Sequence, residues 1–295
     1  MSGQSEAFLA HAAEGLTTLC RAWAISRTDG VTFGFTDHDR TLAFDGISFS
    51  AETGLSASAL AQSTGLSVDN TEALGALTDA AIREDEIEAG RFDGAEVRAW
   101  LVNWADPDVR WLQFRGTIGE LRRAGGAFHA ELRGLTEALN RPLGRIYQKP
   151  CTAVLGDGQC RFDLSEPGYR HDGPADRITD GRVFEWDMLA GFEPGWFQRG
   201  RLDVLEGDAA GLWGMVKHDV FDGTVRRIEL WEPIRGPIAS GDQLRLTAGC
   251  DKRFETCRLK FNNLLNFQGF PDLPSDDWVM AYPKSSGSNS GGSLR

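Results

Sequence analysis

Leu19-Cys-Arg-Ala-Trp-Ala-Ile-Ser-Arg-Thr-Asp-Gly-Val-Thr-Phe-Gly-Phe35 decides the class of fold. Its two ends, residues 19–25 and 31–35, are short apolar and aromatic runs of the kind that form strands. Between them, Arg27-Thr-Asp-Gly30 supplies turn chemistry, because Asp-Gly tolerates the positive φ of a tight reversal. The pattern then repeats. Asp37-His-Asp-Arg40 turns before a strand at 42–44, and Asp45-Gly46 turns again before a strand at 47–49. Upstream, Phe8, Leu9 and Ala12 have helical spacing, which predicts a helix over 5–15 with Ser5 as N-cap and Gly15 as its stop. Downstream, strands are expected at 95–104, 111–118 and, after Gly125-Gly126, at 127–132. A short helix is expected at 78–89 and a short helix or turn at 135–143. Residues 53–77, rich in Ser, Thr, Ala and Gly, read as a loop excursion or an outer strand.

Many short strands joined by tight turns favour a barrel or sandwich over a doubly wound α/β sheet. The expected class is therefore mainly β, a β-rich α+β protein. At 295 residues the chain is long for one core and is expected to form two domains. The first, residues 1–145, is barrel-like. The second, residues 146–283, resumes strands at 183–186, 200–205, 214–218, 226–231 and 243–246, after a Gly/Asp/Pro-rich connection at 165–182. The last stretch, 284–295, reads KSSGSNSGGSLR and is expected to be a flexible tail, since it has nothing to bury.

The formal charge of −12 excludes a chain that is basic overall and grips nucleic acid through phosphates. Arg115, Arg122 and Arg123 read as ordinary solvated surface. No apolar run approaches the roughly 20 residues that cross a bilayer, so no membrane anchor is expected. The start, MSGQSEAFLAHAAEG, lacks a secretory pattern, which points to the cytoplasm and to reduced thiols. Nucleophile elbows, phosphate loops, His-Glu-x-x-His and dinucleotide fingerprints are absent from the sequence, so no catalytic residues are assigned. Asp37, His38 and Asp39 read as a structural polar turn, with the carboxylates taking backbone amides and Arg40 pairing with one of them. Trp100, Trp104, Trp111, Trp186, Trp196, Trp213 and Trp231 suggest large buried or intersubunit surfaces.

Cys20 sits alone in an apolar strand and reads as core. The other four cysteines form two pairs, Cys151-x8-Cys160 and Cys250-x6-Cys257, both in the second domain. Leu155-Gly-Asp-Gly158 lies inside the first pair, and Gly249 and Asp251 flank Cys250. Glycine lets backbone fold round a buried centre and aim amides at sulfur. Four thiolates are the ligand set of a structural zinc or of a [4Fe–4S] cluster. Zinc pairs usually sit two to four residues apart, closer than here. On spacing alone a cluster, zinc, disulfides and four unrelated thiols all stand.

Gly249-Cys-Asp-Lys-Arg-Phe-Glu-Thr-Cys-Arg-Leu-Lys-Phe-Asn-Asn-Leu-Leu-Asn-Phe-Gln-Gly-Phe-Pro-Asp-Leu-Pro274 resembles the C-terminal signature of a phage tail-tip family. That family includes the lambda-type tail-tip protein L and a hub protein of gene transfer agents. Phe35-Thr-Asp-His-Asp-Arg40 and Glu88-Ala-Gly-Arg-Phe-Asp-Gly-Ala-Glu-Val97 are similar to its N-terminal and middle motifs. The resemblance implies a non-enzymatic structural subunit at the distal end of a tail. It implies a [4Fe–4S] cluster held by Cys151, Cys160, Cys250 and Cys257, with zinc as the alternative metal. The implied setting is a homotrimeric ring between the distal tail ring and the central tip or fibre protein. Such a subunit is made in the cytoplasm and ends at the tail tip of a phage-like particle. DNA passes through it without specific binding, and some excess Asp and Glu would face that lumen. The gap 161–249 is long for the lambda-like member and closer to the gene-transfer-agent branch. The competing readings are an iron–sulfur electron-transfer module and a zinc-stabilised binding module.

Overall fold

The computed structural model describes residues 3–51, 70–73, 83–124, 127–134, 144 and 146–274. The chain divides into two compact units, Met1–Leu143 and Gly144–Arg295. Both are mainly β. The helix or turn expected at 135–143, the tail at 284–295, and most of 53–82 lie outside the described residues.

The first unit begins with helix α1 (Gly3–Ala13) and continues through β1 (Leu19–Ser26), β2 (Thr32–Thr36), β3 (Leu42–Phe44), β4 (Ile47–Ser50), β5 (Asn70–Ala73), α2 (Glu84–Glu88), β6 (Glu96–Asn103), β7 (Arg110–Ala124) and β8 (Ala127–Gly134). Its strands form one sheet in the order β3-β4-β2-β1-β6-β7-β8-β5. The sheet is a half-barrel. Strand alternation sends Trp23 and Ile25 of β1 to one face and Cys20, Ala22 and Ala24 to the other. The first set packs with Phe35, Val97, Ala99 and Phe114, the second with Leu42, Phe44, Phe49 and Trp100. Both faces of β1 are therefore core, which explains its nearly continuous apolar run.

The turn chemistry works as the residue types require. The Val31 amide donates to the Asp29 carboxylate at 3.1 Å. Asp45 and Gly46 both have positive φ, 51° and 74°, and join β3 to β4 as a two-residue hairpin. Two features depart from expectation. β2 also pairs with β4 in parallel, Gly34 opposite Phe49, so the sheet is mixed. β7 runs to Ala124, past the expected end at 118. The outer-strand reading of 53–77 holds at β5, which pairs with β8 at the sheet end.

The second unit contains β9 (Arg170–Gly173), β10 (Arg177–Thr179), β11 (Val183–Asp187), β12 (Arg201–Val204), β13 (Trp213–Phe221), β14 (Val225–Leu230), β15 (Leu244–Thr247), helix α3 (Phe254–Leu259) and a 3-10 turn at Leu264–Asn266. The strand order is β10-β11-β14-β13-β12-β15-β9. β13 changes partner along its length. Its start pairs with β12, and after a register shift between Val216 and His218 its remainder pairs with β14. Phe184, Phe197, Leu202, Val216, Ile228, Leu230, Leu244 and Leu246 form a fully buried core. Each such side chain contributes roughly 1.5–3 kcal/mol on burial.

The 165–182 stretch, expected to be a plain connection, carries β9 and β10. β9 is held by β15, and Arg245 clamps Asp172 with two bonds of 2.8 Å. Of the tryptophans singled out in the sequence, Trp100 and Trp186 are buried, whereas Trp104, Trp111, Trp213 and Trp231 are exposed. No helix among the described residues is long and apolar enough to cross a membrane.

Candidate metal centre

β15 ends at Thr247, and the next three residues deliver the first ligand of the second cysteine pair. The Ala248 amide donates to the Tyr169 carbonyl at 2.8 Å, and the Gly249 amide to that of Trp196 at 3.0 Å. Gly249 passes so close to the 198–200 backbone that a Cβ there would overlap the Gln198 carbonyl. The chain must be glycine at that point, and Cys250 follows with its position set. Cys257 lies on α3, so the second pair spans a helix start rather than the loop the sequence suggested.

The first pair is organised by Asp157. Its carboxylate accepts the amides of Cys160 at 2.6 Å, Val154 at 2.8 Å and Gln159 at 2.9 Å. Those amides hold the carboxyl below its usual range, the Cys160 amide most of all. The two segments are knitted together by Lys252. Its carbonyl accepts the Cys151 amide at 2.9 Å, and its ammonium donates to the Ala153 carbonyl at 2.5 Å.

All five cysteines are free thiols. Cys151, Cys160, Cys250 and Cys257 line one pocket. Phe162, Tyr169 and Phe261 pack beside it, with ring centroids 4.7–5.6 Å apart. The thiols sense one another. Burial, and then the neighbouring Cys151, Cys250 and Cys160, push the Cys257 thiol up to about 11. Burial also raises Cys250, against the opposing pull of the Lys252 amide. Burial brings the Lys260 ammonium down to about 8, although it lies 4.2 Å from the centre of the Trp196 ring and donates to the Gly249 carbonyl at 2.9 Å.

Amides already aim at sulfur. Gln268 N–H lies 3.4 Å from Cys151 Sγ and Asn263 Nδ2 lies 3.5 Å from Cys160 Sγ. Among the described residues, no three Cys, His, Asp or Glu side chains are close enough together to hold a single ion. Tetrahedral zinc, with Zn–S near 2.3 Å, would draw its four sulfurs to about 3.8 Å of one another.

The other sequence candidates do not form a second centre. Asp37 accepts the Arg21 amide at 2.6 Å, and His38 Nδ1 faces the Arg40 amide at 3.0 Å. This is a polar turn, but Arg40 forms an ion pair with neither Asp37 nor Asp39. Cys20 is core, beside Thr36.

A family model described as baseplate hub protein, N-terminal attachment domain, matches residues 5–163, more than half the chain. The chain belongs to the baseplate hub protein family. The family resemblance is borne out, and its motifs at 35–40 and 88–97 lie within this match. A second model, described as phage conserved hypothetical protein BR0599, matches residues 195–277 of this hub-family chain. Cys151 and Cys160 fall in the first match, Cys250 and Cys257 in the second, so the cysteine pocket draws on both. A chain from a solved structure of the virion of a native gene transfer agent particle is 54% identical. That match covers 98% of this chain and 100% of the other, with a TM-score of 0.91. No curated protein matches.

Proposed function

We propose that this hub-family chain is a structural, non-enzymatic subunit at the tail tip of a phage-like particle, and that its four paired cysteines hold a [4Fe–4S] cluster. The observation that carries the cluster is the convergence of Cys151 and Cys160 with Cys250 and Cys257 on one pocket, across about 90 residues of intervening chain. The donor set fits. It is four thiols, with amides of Gln268 and Asn263 already directed at two of the sulfurs. Within the pairs, eight and six residues intervene, more than in the usual zinc pairing.

When bound, the cluster supplies four iron–thiolate bonds that cross-link the two segments. The chain's own residues do the rest. Asp157 shapes the first loop, Gly249 seats Cys250, and the aromatic rings of Phe162, Tyr169 and Phe261 keep water from one side. A homotrimeric ring between the distal tail ring and the central tip or fibre protein is the assembly this reading implies. The subunit would fold in the cytoplasm before joining the particle, and the net charge of −12 suits a surface that DNA passes without binding.

Metal analysis of the full chain purified without air tests the site. The expected result is about four irons and four labile sulfides per chain. One zinc per chain, or no metal after reconstitution with iron and sulfide, overturns the cluster and leaves the family membership untouched.

A further inference from the structure

Asn263 touches both cysteine pairs. Its Nδ2 donates to the Cys160 carbonyl at 2.7 Å and lies 3.5 Å from Cys160 Sγ. Its backbone meets the second pair: the Asn263 amide donates to the Cys257 carbonyl at 3.0 Å, and the Cys257 thiol faces the Asn263 carbonyl at 3.3 Å. The orientation of the carboxamide is set, because Asn266 Nδ2 donates to Asn263 Oδ1 at 2.7 Å. With its oxygen satisfied there, Asn263 presents its NH₂ to Cys160. Asn263 is also the N-cap of the Leu264–Asn266 turn, yet its side chain makes no capping bond. A side chain well suited to capping is committed instead to a residue 103 positions earlier in the chain.

We propose that Asn263 is the positioning residue of the cysteine centre. It holds Cys160 in register with Cys257 and places an N–H against the Cys160 sulfur, where it stabilises thiolate charge once the centre is loaded. The proposal rests on the cluster reading above. Hydrogen bonds to cluster sulfurs raise the reduction potential, because they favour the form with more negative charge. A neutral donor fixed by Asn266 does this without adding charge of its own. The Gln268 amide at Cys151 is a backbone group, so Asn263 is the side chain through which this effect can be altered by substitution.

The test uses the full-length chain reconstituted with iron and sulfide. Asn263→Asp keeps the shape but replaces the donor with an acceptor. It should still take up iron, but its reduced-to-oxidised ratio at a fixed potential should fall at least tenfold, about 59 mV for a one-electron couple. Asn266→Ala, which only frees the carboxamide, should move the potential in the same direction by less, and covers the case in which Asn263→Asp fails to fold. Asp172→Asn, at the β9–β15 clamp and outside the pocket lining, should lower stability without moving the potential. Asn263→Asp and Asn266→Ala proteins with wild-type iron content and wild-type potential overturn the positioning role alone. A wild-type chain that takes up no iron overturns this proposal together with the cluster.

Discussion

Arg226 and Asp219 pair inside the second unit with both side chains fully excluded from solvent. Arg226 Nη1 lies 2.8 Å from each carboxylate oxygen. Arg226 also donates to the carbonyls of Leu189, Phe192 and Glu193, and Asp219 also accepts the Phe197 amide at 2.9 Å. The pair thus ties β13 and β14 to the 189–197 segment. That segment carries Trp196, whose carbonyl holds Gly249 beside the cysteines.

Breaking this pair leaves an uncompensated charge in the core. Asp219→Ala should cost about 3–5 kcal/mol. Arg226→Ala should cost at least as much, because it also strands three carbonyls. The check is urea unfolding of the full chain, followed by a signal specific to the second unit. A loss below about 1 kcal/mol for either variant would show that the pair is dispensable.

Gly249→Ala puts a methyl group into the Gln198 carbonyl. Backbone cannot yield there as a flexible side chain would, so the cost falls at or above the upper end of the about 1–3 kcal/mol range for overpacking. Because Gly249 seats Cys250, the same variant should take up less metal than wild type in parallel reconstitutions. Unchanged melting and uptake would remove Gly249 from the account of the site.

Most strands were legible because their side chains alternate and their turns use Asp-Gly. Others were hidden for physical reasons. β9 is Arg-His-Asp-Gly, with no apolar alternation; its pairing comes from β15 and the Arg245–Asp172 clamp. The parallel β2–β4 contact is a tertiary choice that no local pattern encodes. Asp219 and Arg226 are charged residues that no apolar pattern marks as core, and only the packed fold brings them inside. At the candidate site the four cysteines were legible from pairing and motif, and so was the Leu155-Gly-Asp-Gly158 turn. The roles of Asp157, Lys252 and Asn263 were not, because each acts on a segment or amide that the fold alone brings close. The Asn-rich stretch after Cys257 was the available signal for Asn263.

Asp157 predicts a pH effect on the loop that carries Cys160. Its folded carboxyl lies below 3.8, whereas an unfolded aspartate titrates near ~3.9. The support it gives is fully present above the unfolded value and is lost as pH falls through the lower folded one. In the metal-free chain, amide exchange at Cys160 should be faster in Asp157→Asn than in wild type at pH 6. The two should converge as acidification protonates the wild-type carboxylate. Equal exchange at both pH values would mean that the carboxylate does not hold the loop.

Removing one ligand tests the staple directly. A cross-link closing about 90 residues restricts the unfolded chain by about 4.6 kcal/mol on the chain-entropy account, and iron–thiolate bonds that need folded geometry add to this. Cys151→Ser, Cys160→Ser, Cys250→Ser and Cys257→Ser should each abolish the brown colour and lower the melting temperature of the second unit by roughly 10–20 °C. The first unit, which contributes no ligand, should melt as before. Uptake must also displace protons from thiols that burial holds high, Cys257 at about 11. Loading should therefore weaken as pH falls below neutral and strengthen as it rises. Cys20→Ser should change neither colour nor pH dependence, since that thiol is packed in the first unit beside Thr36. Ligand variants that keep full iron and full stability would end the staple model.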